Sequence, residues 1–182
     1  MNFRKFNRLA ALIFSVFFCS PLAMADSPLP PPSMKYFQSP SFTCAAQSIP
    51  DQNETLVFKP NHSSINSLNA REEEWTASQW GRQIYVADDC GFIIVMYGGL
   101  NLLRLDDRAN DTVVFRMYSS SEPDRVLTLS KFYKDLDVLP RTSSHWAWYE
   151  VVGWNGSDLT VHTVDGRQVV ISQSDFSPVD GN

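Results

Sequence analysis

The sequence predicts a mainly β protein with one helix (an α+β fold), built from antiparallel sheets and cross-linked by one disulfide. From residue 83 onward, short runs rich in β-branched and aromatic residues alternate with turn residues. The connections between these runs are too short for the helical crossovers that parallel strands need, so antiparallel neighbours are expected. Two cysteines remain after a predicted export signal, an even number that is typical of a disulfide.

The first 25 residues have the pattern of a secretory signal peptide. They begin with three basic side chains and no acidic one, continue with the apolar run LAALIFSVFF, and end on the small-x-small cleavage pattern of residues 23–25. Cleavage before Asp26 would also remove Cys19; an uncleaved anchor and a lipoprotein processed at Cys19 are the alternatives. No later stretch approaches the roughly 20 apolar residues of a membrane-spanning helix. We therefore expect an exported protein, in the periplasm or outside the cell, with no integral membrane span after signal cleavage.

The charge of the mature chain excludes two classes of partner. Loss of three basic residues and no acidic one changes the formal net charge from −5 to about −8. Nucleic acids and anionic lipid surfaces both require a basic protein surface. Neither is expected to bind this chain.

Cys44 and Cys90 are expected to form the disulfide, because an even number of cysteines in a small exported chain is typical of one. The bond would close a loop of about 46 residues. On the chain-entropy model, this closure stabilises the folded state by roughly 3 to 4 kcal/mol. The alternative makes Cys90 a nucleophile with a histidine base. Its candidate bases are His62, His145 and His162, and none lies in a recognisable cysteine-hydrolase motif.

The N-terminal half contains the only helix that the pattern predicts. Residues 26–42 are a proline-rich lead-in, expected to be an extended spacer. A β-rich domain is predicted over residues 43–140, with a short strand at 56–59 and a helix over 63–80. The helix prediction depends on serine caps at its start and on one apolar stripe, formed by Ile65, Leu68 and Trp75. Five strand candidates follow the helix, at 83–87, 91–97, 101–105, 112–118 and 125–129.

Residues 141–182 predict a three-stranded meander, either separate from the preceding domain or continuous with it. The strands are expected at 145–154, 157–164 and 167–172, joined by the turn signals Asn155-Gly156 and Asp165-Gly166. A two-residue first turn would set four residues of the first strand opposite four of the second: Trp154 opposite Ser157, Val152 opposite Leu159, Glu150 opposite Val161 and Trp148 opposite Thr163. The second turn would set Val161 opposite Val170. One face would then carry Trp146, Trp148, Glu150, Val152, Trp154, Leu159, Val161 and Val170. At least two of the three tryptophans are expected in the core, and Glu150 must reach an edge or a partner.

The same stretch resembles the Tudor and SH3-like small barrels over residues 145–179. The matching residues are Trp148, Tyr149, Val151, Val161, Asp165, Gly166, Ser174, Asp175, Phe176, Pro178 and Val179. The resemblance implies a five-stranded barrel whose rim binds a ligand. It places the rim positions at Tyr149 and, by strand position, at His162 and Asp165, of which the last two are not aromatic.

Few residues predict chemistry. The sequence contains no serine-hydrolase, zinc-protease or phosphate-loop motif, so no catalytic residue and no cofactor are assigned. A metal site at His162 and Asp165 would need His145 from the adjacent strand as its third ligand, and we expect instead a surface histidine packed on Tyr149, with no metal. Asp88-Asp89 and Asp106-Asp107 could supply the paired carboxylates of a glycosidase, but acidic pairs next to turns are expected to be solvated, as is the acidic run Glu72 to Glu74.

Three functional hypotheses remain. We favour an exported binding or accessory protein over an enzyme. It would act through contact with another envelope or secreted protein, as an inhibitor, immunity protein or secretion-system accessory factor does. The alternative is a binder or hydrolase of cell-envelope carbohydrate or peptidoglycan that uses Glu150 among the tryptophans. The third is a structural subunit of an envelope assembly. The residues expected to contact the ligand or partner are Tyr149, His162, Asp165, Trp146, Trp148, Glu150 and Trp154.

Overall fold

The computed structural model describes residues 28–60, 71–172 and 174–181, and it confirms a mainly β protein with antiparallel sheets. The predicted signal peptide lies outside these residues. Helical structure within them is limited to three 3-10 turns, Pro50–Gln52, Leu129–Lys131 and Leu136–Val138, and none is long and apolar enough to cross a membrane. The strands are β1 (Lys35–Gln38), β2 (Ala45–Ile49), β3 (Glu54–Pro60), β4 (Arg71–Ala77), β5 (Ile84–Val86), β6 (Phe92–Met96), β7 (Leu102–Arg104), β8 (Val113–Ser119), β9 (Arg125–Thr128), β10 (His145–Ala147), β11 (Tyr149–Asn155), β12 (Asp158–Thr163), β13 (Gln168–Ile171) and β14 (Pro178–Gly181).

The described strands form three four-stranded sheets and one short pair. The first sheet has the order β1-β2-β3-β4, the middle sheet β5-β6-β8-β9 and the last sheet β11-β12-β13-β14, while β7 pairs with β10. Every pairing is antiparallel. The last sheet is open, with β11 and β14 at its edges, so the strands do not form the closed barrel that the small-barrel resemblance implies.

The middle sheet lies between the other two and is buried on both faces. One face packs on the first sheet in a cluster that contains Cys44, Ala46, Val57, Ala77, Ile84, Val86, Cys90, Ile93 and Val95. The other face packs on the last sheet in a larger cluster that includes Tyr85, Ile94, Met96, Phe115, Met117, Trp148, Leu159, Val161, Val169 and Ile171. Because side chains alternate between the faces of a strand, successive residues of β5 and β6 enter different clusters. The larger cluster combines residues of the predicted β-rich domain, 43–140, and of the predicted meander, 141–182, in one core.

The helix prediction over 63–80 is wrong for residues 71–77, which form strand β4; residues 61–70 lie outside the described part of the chain. Strand β4 pairs with β3, and a bulge at Glu74 sets Trp75 opposite Val57. Glu74 forms an ion pair with Lys59 at 2.9 Å. Ala77 is buried while Thr76 is exposed, which is the two-residue period of a strand. Tertiary pairing thus overrides a helical stripe that depended on three apolar positions.

The proline-rich lead-in of residues 26–42 contains a strand. Within it, β1 (Lys35–Gln38) pairs with β2, so ordered structure begins before Cys44. The Cys44–Cys90 disulfide is confirmed, with the Cα atoms 5.4 Å apart. Cys44 lies in the first sheet's cluster and Cys90 follows β5, so the bond joins the first sheet to the middle sheet.

The register of the C-terminal sheet differs from the prediction in two places. The first turn consists of Gly156 and Ser157, which sets Trp154 opposite Leu159 and Val152 opposite Val161. These four residues share a face, as predicted, because the shift is an even number of residues. The second turn has three residues instead of two, so Val161 lies opposite Val169 rather than Val170.

Candidate functional site

Three loops meet at one end of the disulfide-linked sheets, and we call them together the three-loop surface. They are the β1–β2 loop (39–44), the β5–β6 loop (87–91) and the β11–β12 turn (156–157). Between them lies a cavity of about 180 Å³. Its lining residues are Pro40, Val86, Ala87, Asp88, Asp89, Trp154, Gly156 and Ser157. Loops that a rigid scaffold holds in place are frequent carriers of binding sites.

Hydrogen bonds to Asp88 hold the β1–β2 loop against the β5–β6 loop. The backbone N–H and the hydroxyl of Ser41 both donate to Asp88 Oδ1, at 2.8 and 2.5 Å. The Thr43 hydroxyl donates to the Asp88 carbonyl oxygen at 2.5 Å. The Ser41 hydroxyl, followed by its backbone N–H, lowers the pKa of the Asp88 carboxyl below its usual value. Asp88 is therefore ionised at neutral pH and joins two loops that are 47 residues apart.

The β1–β2 loop presents one aromatic side chain to solvent. Phe42 is 57 % exposed and has a φ of 62°, in the left-handed region that a bulky residue rarely occupies. Its backbone N–H donates to the Ser39 carbonyl at 3.0 Å, and the Ser39 N–H donates to the Cys44 carbonyl at 2.9 Å. The Cys44–Cys90 disulfide anchors the end of the loop. The loop thus holds Phe42 in a strained backbone conformation.

Cys90 anchors the neighbouring loop in the same way. Its φ is 61°, again left-handed for a residue that is not glycine. The Trp75 indole N–H donates to the Cys90 carbonyl at 2.6 Å and so connects strand β4 to this loop. Left-handed backbone thus lies in both loops that the disulfide joins, and it also occurs at Asn53, Leu100 and Phe176 elsewhere in the described residues.

Trp154 forms the aromatic wall of the cavity. It is half-buried, and its ring meets the Tyr85 ring edge-on, with centroids 6.3 Å apart. The Tyr85 hydroxyl donates to the Val152 carbonyl at 3.2 Å, which connects the edge strand β5 of the middle sheet to the edge strand β11 of the last sheet. Burial raises the pKa of Tyr85, so this hydroxyl remains a donor at neutral pH. These contacts hold the Trp154 ring in place beside the two aspartates.

The cavity is acidic. Asp88 and Asp89 are both exposed, and the Gly91 backbone N–H donates to Asp89 Oδ1 at 2.8 Å. Among the described residues that line the cavity, none is basic. Two carboxylates and an indole ring lining one cavity match the chemistry of a cationic group, through ion pairing and cation–π contact.

Glu150 does not lie among the tryptophans. It is the extra residue of a β-bulge, because Tyr149 pairs with Thr163 and Val151 with His162. The prediction that Glu150 lies opposite Val161 is therefore wrong, and its side chain is exposed. It lines a second cavity, of about 320 Å³, whose other lining residues are Gln83, Tyr85, Leu100, Tyr149, Val151 and Val152.

The three tryptophans of the C-terminal segment occupy different environments. Trp148 is fully buried, and the predicted strand 145–154 divides at this residue into β10 and β11. The predicted pairing of Trp148 with Thr163 is therefore wrong, since Tyr149 takes that place. Trp146 is half-buried, with the Arg141 guanidinium 5.5 Å from its ring centroid. Only Trp154 lines the acidic cavity.

The rim positions that the small-barrel resemblance implies are not assembled on one surface. Tyr149 is half-buried, 4.8 Å from the Trp148 ring centroid, and burial raises its pKa to about 12. His162 is exposed on β12. Asp165 accepts a hydrogen bond from Arg167 at 2.9 Å and lines a third cavity, of about 440 Å³. Burial favours the neutral form of Asp165, but bonds from Thr163 and Arg167 outweigh it and lower its pKa.

Two of the residues that build the three-loop surface, Phe42 and Ser41, fall in the predicted spacer and were not predicted as site residues. Asp88 and Asp89 were considered as a carboxylate pair, but the expectation was that they are solvated. The signal that was present is an aromatic residue between Ser-Pro-Ser and Thr, directly before a disulfide cysteine. Within the residues that the structure describes, no group of three or more His, Cys, Asp or Glu side chains is placed to hold a metal ion.

Comparison of the chain with protein-family models, with curated proteins and with solved structures found no match. The likeness to Tudor and SH3-like barrels remains a resemblance of residues 145–179. The geometry of the surface and its chemistry are therefore the basis for the functional argument.

Proposed function

We propose that this chain is an exported, non-enzymatic binding protein that contacts a protein partner through the three-loop surface. The observation that carries the proposal is Phe42, a large apolar side chain that is 57 % exposed on a loop fixed by hydrogen bonds and a disulfide. Aromatic side chains that are held rigid before binding are the usual anchors of protein interfaces.

The rigidity of the loop favours binding. A side chain that is ordered only on association adds about 0.5 to 1.5 kcal/mol of entropic cost. The left-handed backbone at Phe42 and its bond to Ser39 set the direction of the side chain in advance. The neighbouring wall of the cavity adds a second, half-buried aromatic residue, Trp154. The surface therefore combines an exposed anchor with an adjacent concave site, which is the usual arrangement of an interface core.

The carbohydrate alternative has weaker support. It required Glu150 to lie between tryptophan rings, but Trp148 is buried and Glu150 projects from a bulge into a cavity lined by tyrosines. No pair of carboxylates flanks a cleft among the residues described around Glu150. A glycosidase mechanism needs such a pair.

Site-specific photocrosslinking in the producing cells tests the proposal. A benzoylphenylalanine at position 42 replaces one aromatic residue with another and keeps the exposed ring. The matched control places the same group at Val126, which is 44 % exposed on β9, at the opposite edge of the middle sheet from β5. We expect one discrete protein adduct at position 42 and none at position 126.

If the variant with benzoylphenylalanine at position 42 folds and is exported normally but gives no adduct, the proposal is contradicted. Equal adducts at both positions would also contradict it, because they would indicate nonspecific collision. Mass spectrometry of the adduct band identifies the partner in the positive case.

A further inference from the structure

We infer that the acidic cavity of the three-loop surface binds one arginine side chain of the protein partner, with the guanidinium between the Trp154 ring and the carboxylates of Asp88 and Asp89. This inference rests on the proposed function and adds to it the chemistry of the partner. The cavity has an apolar wall, an aromatic wall and an acidic rim, and each matches one part of an arginine side chain.

The walls suit the two ends of such a side chain. Arginine buries its aliphatic stem along apolar surface and keeps its charged head in a polar environment. Pro40, Val86 and Ala87 provide the apolar surface. The indole of Trp154 provides the ring face that attracts a cation most strongly among aromatic side chains.

The size of the cavity argues for a single side chain. Its volume is about 180 Å³, whereas clefts for drug-sized ligands span about 300 to 1,000 Å³. An oligosaccharide would need a longer cleft with several stacking rings, and Trp154 is the one aromatic residue among the described residues that line this cavity.

The electrostatics argue for a cation. The hydrogen bonds from Ser41 keep Asp88 ionised at neutral pH. The formal net charge of the whole sequence is −5, so the protein as a whole does not repel a cation. Arginine fits better than lysine because its planar fork bonds a carboxylate with two N–H groups while its face stacks on an aromatic ring.

Two tripeptides separate charge from shape in the test. The probe is acetyl-Gly-Arg-Gly-amide, and its control carries citrulline, which has nearly the same shape without the charge. Nuclear magnetic resonance of the Trp154 indole N–H, assigned with Trp154→Phe, reports occupancy of the cavity. We expect a saturable shift with the arginine peptide at millimolar concentration, weakened by added salt, and no shift with citrulline.

Asp89→Asn is the matched variant of the protein. Asparagine keeps an acceptor for the Gly91 N–H, and Asp88 is left intact because it holds the β1–β2 loop. We expect binding of the arginine peptide to weaken roughly two- to fivefold, as for an exposed ion pair. Asp111→Asn removes one charge outside the residues that line the cavity and is expected to change binding by less than twofold.

An equal response to the citrulline peptide, or an unmoved Trp154 resonance, overturns the inference. A shift produced by N-acetylglucosamine oligomers and not by the arginine peptide also overturns it, because the cavity would then be a saccharide site. If position 42 still crosslinks to a protein in either case, the proposed function stands and only the arginine assignment fails.

Discussion

Replacing Trp148 with phenylalanine tests whether the tryptophan row of the C-terminal segment is core. Trp148 is fully buried, and its ring lies 5.6 Å, centroid to centroid, from both Phe115 and Phe132. Its indole N–H donates to the Leu100 carbonyl at 2.8 Å. Phenylalanine keeps an aromatic ring in this cluster but removes the donor and part of the volume.

Two effects set the expected magnitude. The Leu100 carbonyl loses the Trp148 indole N–H, and leaving a partly buried acceptor without its donor costs about 1 to 3 kcal/mol. The smaller ring leaves a void that adds about 1 kcal/mol. We therefore expect Trp148→Phe to lower the free energy of unfolding by about 2 to 4 kcal/mol, a large part of the stability of a typical domain.

Equilibrium urea unfolding followed by far-ultraviolet circular dichroism measures this loss, since the five tryptophans complicate fluorescence. Trp146→Phe is the matched control, because Trp146 is half-buried and its contact with Arg141 is a surface cation–π contact. It is expected to change stability by less than about 1 kcal/mol. A loss below about 1 kcal/mol for Trp148→Phe, or a larger loss for Trp146→Phe, would refute the assignment of Trp148 to the core.

Three further outcomes are expected. Replacing Cys44 and Cys90 together by alanine lowers the free energy of unfolding by about 3 to 4 kcal/mol, because the unfolded chain regains the entropy of the loop. Urea titration measures this loss, and an unchanged unfolding midpoint contradicts the expectation. Phe42→Gly keeps or raises stability by up to about 1 kcal/mol, since glycine adopts a left-handed backbone without strain, and a lower melting temperature contradicts this. Burial raises the pKa of Tyr149 to about 12, so the unfolded state loses this proton first, near pH 10; its contribution to stability is complete below pH 10 and decreases as the pH rises towards 12. Tyr149→Phe should lose less stability over that pH range than the parent protein, and an equal loss in urea titrations would contradict the assignment.

The C-terminal hairpin shows which features of the fold the local sequence pattern can predict. The faces of Trp154, Val152 and Leu159 are predictable because moving a two-residue turn by one residue changes each pairing partner by two residues, which preserves the face. The next strand is shifted by one residue, so Val169 and Ile171 take the buried face instead of Val170. The cause is a three-residue turn in which Gly166 is left-handed. Asp-Gly signals a turn but does not determine its length.

The environment of Glu150 depends on a β-bulge that interrupts the predicted alternation of strand residues. Regular alternation placed it between Trp148 and Val152 on an apolar face, where a carboxylate would be costly. The extra residue removes this conflict by turning Glu150 to solvent and Tyr149 towards the core. An acidic residue at a predicted core position was the available indication that the alternation breaks there.

The candidate site was hardest to predict because its parts are far apart in the chain. Ser41 and Asp88 are 47 residues apart, and neither lies in a recognisable motif. The prolines before residue 33 predict an extended spacer and gave no indication of the four-residue strand Lys35–Gln38 that follows them. The disulfide was predictable, and it was the one long-range constraint that would have brought the two loops together.

The two buried faces of the middle sheet also affect the risk that the chain aggregates while it folds. Strand β6, Phe92–Met96, is five consecutive apolar residues with no charge and no proline, and both of its faces need a covering layer. Until the first and last sheets dock, this segment can pair with copies of itself and aggregate. The covalent link between the first and middle layers forms only in oxidising surroundings. Oxidising surroundings therefore supply the bond that holds the first sheet over the middle sheet and its apolar strand β6.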